Sequence, residues 1–173
     1  MITVCGIGIA LFTTLSLCMQ VPVFQNYYLC LGYTVMAVYL YFFGVNAGTI
    51  VGFFGTILYC LLINGLRGMP GWAIGNIFVA IILGYAFKAG KRVENRATRY
   101  LIYTAGIFIG CGCGILFVKS LIECLLYGQP IIVRMAVNVY AFIADLVVLL
   151  ISIPLCELLE PYMKKRQFTR RRL

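Results

Sequence analysis

The sequence predicts an all-α integral membrane protein of six helices with both termini on the cytoplasmic side. Three observations carry that expectation. The 173 residues are 63% hydrophobic and only 11% charged, far from the roughly 45–50% apolar and 25% charged make-up of soluble domains. Mean hydropathy is +1.01. Apolar runs near the length a bilayer core demands, about 20 residues, recur along the chain, and they are continuous rather than alternating, which argues against a barrel.

The first helix is expected from about Met1 to Gln20, stopping before Pro22, and is read as an uncleaved span because no basic stretch precedes it. Gly6, Ala10 and Thr14 share one of its faces. Small residues at that spacing let another helix approach closely, either inside the bundle or on a different membrane subunit. Val21–Tyr28 (VPVFQNYY) reads as a short polar and aromatic connection. Helix 2 is expected over Leu29–Phe43, a tight turn over Gly44–Gly48, helix 3 over Thr49–Leu66 and helix 4 over Trp72–Phe87. A basic linker, Lys88–Arg99, leads to helix 5 over Tyr100–Tyr127. Gly128-Gln129-Pro130 breaks the chain before helix 6, Ile131–Leu159, with Pro130 suited to a first helical position. A basic tail, 164–173, follows. One membrane domain accounts for the whole chain.

The net charge of +9 would suggest nucleic acid in a soluble protein, but its placement points to the membrane. Of 14 basic residues, five lie in Lys88–Arg99 and six in Lys164–Arg172. Both clusters flank apolar spans and fall on the same side when six spans are counted, so the positive-inside rule makes that side cytoplasmic. The tail also suits an anionic lipid surface. The connections at Val21–Tyr28, Arg67–Gly71 and Gly128–Pro130 are then extracellular.

Charge at membrane depth costs about 3 kcal/mol or more per residue and so calls for a function or a partner. Lys119 and Glu123 lie four apart on helix 5, and Arg134, Asn138 and Asp145 share a face of helix 6. With Trp72 and Asn76 opening helix 4 and Arg67 in the loop before it, the groups near the outer ends form one polar layer. Such a layer either glues the bundle through ion pairs such as Arg134 with Glu123, or lines a pocket open to the outside. In the second case Trp72 is a stacking wall and the charges and amides read a polar ligand. Asp145 lies deeper, as a floor residue, a partner for Arg134's face or a proton-coupling carboxylate.

Catalysis finds no support, since the chain has no His and so lacks the usual triads and metalloprotease motifs. Gly84–Arg92 (GYAFKAGKR) departs from a phosphate loop in spacing and in its Arg. Eight cysteines, none in C-x-x-C spacing, read as small apolar fillers; neither metal nor cofactor is expected. Gly106, Gly110 and Gly114 form a second small-residue stripe.

The chain resembles the substrate-binding S components of energy-coupling factor (ECF) vitamin transporters over nearly all its length. Val21–Phe87 carries the most specific part: a Pro in the first outer loop, the run GVNAGTIVGFFGTILYCLLINGLRG, and a Trp-led fourth helix with Gly75, Asn76 and Gly84. Gly44, Gly48, Gly52 and Gly55 match the family's glycine-rich turn. The resemblance implies a module of the bacterial plasma membrane that binds but does not pump. Its ligand would sit on the extracellular side. A transmembrane coupling protein and two ABC ATPases would supply the energy, and the S component would topple to release its cargo. Gly6, Ala10 and Thr14 would stand where the family carries the A-x-x-x-A stripe that docks to the coupling protein. Family ligands are vitamins and precursors; Trp72, Asn76, Glu123 and Arg134 suit a pyrimidine, deazapurine or flavin. A self-sufficient proton-coupled carrier using Asp145 is the alternative, disfavoured by the lack of an inverted repeat.

Overall fold

The computed structural model describes residues 2–18, 20–24, 27–63, 65 and 68–170, with side chains placed for all of these except 20–24, 27–28 and 164–170. Six helical rods dominate: α1 Ile2–Cys18, α2 Gly32–Phe43, α3 Val45–Leu62, α4 Met69–Gly90, α5 Arg96–Tyr127 and α6 Ile131–Arg170. The last four are long and apolar enough to cross a membrane, whereas α1 and α2 are shorter apolar helices. Exposed Leu, Ile and Phe side chains cover the outside of the rods, as at Phe54, Ile109, Leu125 and Ile151. That surface suits lipid and would be untenable in water.

Several boundaries differ from the sequence expectation. The described residues of Val21–Tyr28 belong to two strands, β1 Gln20–Phe24 paired antiparallel with β2 Tyr27–Cys30 and bulged between Pro22 and Phe24. Val, Phe and Tyr favour extended backbone, and Pro22 is tolerated because a two-stranded sheet is all edge. The expected turn over Gly44–Gly48 shrinks to Gly44 alone, at φ 91°, a conformation that glycine adopts without strain. Gly48 is already helical and sits against Leu40 of α2, where a Cβ would collide. The basic linker is also shorter than expected: Lys88 closes α4, and Asn95 caps α5 by accepting from Ala97 N–H at 3.0 Å. α6 runs through Pro154 and Pro161 and on into the basic tail, its backbone helical to Arg170.

Within α5, Gly112–Lys119 winds as a π-helix, a local widening often found near functional sites. It lies beside α4 where Gly114 meets Gly75, so closely that a Cβ on either would strike the other's backbone. Gly106 and Gly110 continue that contact against Ala86 and Val79, and the stripe on α5 is therefore internal packing.

The bundle closes around α2 and α4. α1 packs on α2 and α3, α3 on α4, α4 on α5, and α6 returns against α2 and α5. Phe12, Tyr33, Met36, Val79, Leu83, Ile107 and Leu149 form its centre. Small residues set the close approaches: Gly8 faces Tyr39 and Val51, and Gly55 faces Phe12. Gly6, Ala10 and Thr14 lie on the opposite, exposed side of α1, and nothing comes within 4 Å of a Cβ built on Gly6.

One end of the bundle is closed by polar ties. Tyr41 of α2 donates to Glu160 of α6 at 2.9 Å, Lys91 donates to the Tyr41 carbonyl and covers its ring, and Tyr100 and Arg96 both reach Glu157. The other end, where β2, Ile63, Gly65, Gly68 and the 128–130 connection lie, is hollow.

Candidate functional site

A cavity of about 490 Å³ opens at that hollow end. All six rods or their flanking segments contribute. α4 supplies Trp72, held because Met69 and Pro70 start the helix one turn earlier, with Pro suited to a first-turn position. α3 adds Tyr59 and Cys60, α1 and β2 add Ser16, Leu29 and Cys30, α5 adds Lys119 and Glu123, and α6 adds Arg134, Val137, Ala141 and Asp145. The four α6 positions recur every three or four residues, one stripe of a helix.

Trp72 forms a fixed aromatic wall. Its indole N–H donates to Tyr33 Oη at 2.7 Å, and Tyr59 packs edge-on against its ring at 5.6 Å between centroids. Tyr33 in turn donates to Asn76 Oδ1 at 2.6 Å, and Asn76 Nδ2 donates to Thr56 Oγ1 at 2.6 Å. Asn76 is wholly buried and absent from the cavity wall. Through Tyr33 it braces the indole.

A similar arrangement holds the carboxylate on α5. Asn138 Nδ2 donates to Ser120 Oγ at 2.9 Å and to Glu123 Oε2 at 3.1 Å. Asn138 is turned toward α5 and also stands behind the wall. Neither amide is on the cavity wall, and each spends donors and acceptors on protein partners, as a buried amide must. Arg134 Nη1 lies 3.8 Å from Glu123 Oε2, and its guanidinium sits over the Tyr127 ring at 5.4 Å. Its buried Nε has no hydrogen-bond partner among the described residues.

Lys119 is 8% exposed, with its ammonium 5.9 Å from the Trp72 ring. Asp145, 4% exposed, stands beside Tyr33 and within electrostatic reach of Lys119. The cavity therefore holds two positive and two negative side chains among the described residues, with aromatic and aliphatic walls. A second hollow of about 520 Å³ adjoins it and shares Gly68, Glu123 and Arg134, so the Arg134–Glu123 pair partitions the two. This arrangement can enclose a flat, mostly uncharged molecule and hydrogen-bond its edges.

Of the residues expected from the sequence, Trp72, Lys119, Glu123 and Arg134 come together on the wall. Arg67 lies outside the described residues. Tyr33, Tyr59, Cys30 and Cys60 were not foreseen. Tyr33 sits in the middle of an apolar run with no local signal, and only the packing of α2 against α4 brings it to Trp72.

Neither the curated proteins nor the solved structures contain a significant match to this chain. The sequence model of one family, described as ECF-type riboflavin transporter, S component, matches residues 1–161. A match over that span, on a multi-pass apolar bundle with a cavity at one end, means that the chain belongs to the family of ECF-type riboflavin transporter S components.

Proposed function

We propose that this subunit captures riboflavin, or a closely related flavin, at the extracellular face and delivers it inward with a transmembrane coupling protein and two ABC ATPases. The observation that carries the reading is the cavity itself: an aromatic wall fixed at Trp72 and Tyr59, with polar groups at several heights. A flavin needs both features, a surface on which its rings stack and donors and acceptors for its edges and its polyol chain. Trp72, Lys119, Glu123 and Arg134 are the contact residues in this reading, joined by Arg67 from the preceding loop. Asn76 and Asn138 position them.

The charge bookkeeping favours a flavin over other vitamins. Two acidic and two basic side chains on the described wall suit an electrically neutral ligand better than a cation or a dianion, which would leave a buried charge uncompensated. The family description supports the same choice. Lys91 and Arg99 lie at the end opposite the cavity, and the positive-inside rule supports a cavity that faces outside. The exposed face of Gly6, Ala10 and Thr14 is left for the coupling protein.

Trp72 is the single tryptophan of the chain, and this gives a direct test. Protein purified in mild detergent, stripped of ligand and titrated with riboflavin should show quenching of both tryptophan and flavin emission at a one-to-one ratio. No quenching and no retained flavin at micromolar concentration would overturn the assignment.

A further inference from the structure

The deepest polar group of the cavity is Asp145. It lies fourteen residues along α6 from Ile131, about 20 Å of helix at 1.5 Å per residue. Glu123 and Arg134, by contrast, lie within about a turn of the helix ends that form the mouth. The two carboxylates differ in what they have left to offer. Glu123 already accepts from Asn138 and pairs with Arg134.

Among the described residues, Tyr33, the charge of Lys119 and the thiols of Cys30 and Cys111 stand close to Asp145. The single proton of the Tyr33 hydroxyl must also serve Asn76 Oδ1 at 2.6 Å. A carboxylate has two oxygens and about four acceptor positions. Asp145 lines the cavity, where a buried acceptor gains most from an N–H donor supplied by a ligand.

Resting on the flavin reading above, we infer that Asp145 is the specificity-determining acceptor for the imide N–H of the ligand, so that the dione ring of a flavin lies at the cavity floor. The isoalloxazine ring system has one such donor, N3–H, between two carbonyls. A ring bound with that edge down leaves the ribityl chain, which departs from the middle ring, nearer the mouth at Glu123 and Arg134. Asp145 thereby selects for an unsubstituted imide and rejects a ring that lacks the donor, since the buried carboxylate would then stay unpaired.

The test compares riboflavin with N3-methylriboflavin, which differs only at the proposed contact. Wild-type protein should bind the methylated compound about tenfold to a hundredfold more weakly. In Asp145→Ala, confirmed as monodisperse by gel filtration, that ratio should fall to about one through weaker riboflavin binding. Asp145→Asn keeps an acceptor and should retain part of the preference. A wild-type ratio near one overturns the inference without any variant, and so does a large ratio that survives Asp145→Ala. Wild-type protein that binds neither compound would instead overturn the flavin assignment.

Discussion

At the scale of single residues, the cavity depends on buried amides that never reach it. Asn76 satisfies both Tyr33 and Thr56, so Asn76→Ala leaves two buried hydroxyls short of a partner. The expected cost is about 1–3 kcal/mol, visible as a lower unfolding temperature in detergent. Riboflavin affinity should also fall, because Tyr33 no longer holds the Trp72 indole in place. Trp72→Phe removes the indole N–H bond but keeps a stacking ring, whereas Trp72→Ala removes both. Flavin emission should report the smaller loss of affinity for the Phe variant, and equal affinities in the two variants would argue against a stacking wall. Trp72 was legible in the sequence as the one Trp, at the mouth of a helix. The difference between a lining amide and a supporting amide was not, because it depends on which way Asn76 and Asn138 turn against neighbours distant in sequence.

At the scale of elements, the contact between α4 and α5 sets where Lys119 and Glu123 stand. Gly75 and Gly114 meet backbone to backbone, with no room for a Cβ, whereas nothing lies within 4 Å of one built on Gly112. Gly114→Val should therefore force the helices apart and destabilise the fold strongly, while Gly112→Ala should be tolerated. Thermal unfolding of the two variants separates these outcomes, and similar melting temperatures would remove the argument. The stripe Gly106, Gly110 and Gly114 was visible from its spacing alone. The π-helical turn that accompanies it was not, since Gly112–Lys119 carries the same kind of residues as the α-helix before it. The pairing of β1 with β2 escaped for a different reason. Pro22 argues against a strand unless the strand is known to be an edge, and pairing decides that.

At the scale of the whole molecule, binding and transport should separate. On the proposed reading, in which partner subunits supply the energy, vesicles containing this chain alone should hold riboflavin at stoichiometric levels without accumulating it. Net uptake by the chain alone, abolished by Asp145→Asn, would instead restore the proton-coupled carrier. The exposed stripe of α1 gives the complementary experiment. Ala10→Trp crowds a face of α1 that is exposed among the described residues, so riboflavin binding should persist while uptake in cells supplying the coupling module is lost. Loss of binding in the same variant would place the stripe in the fold rather than at a partner.

By itself the sequence determined the class of solvent, the helical architecture and the gathering of Trp72, Lys119, Glu123 and Arg134 in one layer. These follow from composition, run length and the placement of charge, which are properties of a chain read in order. It marked those four because polar groups in apolar runs are conspicuous. Only the tertiary structure decided which groups face the cavity and which stand behind it, that Asp145 lines it, and that Tyr33 links Trp72 to Asn76. Those features come from contacts between helices far apart in sequence, where a rotation of one helix by a single residue, about 100°, exchanges a lining side chain for a buried one.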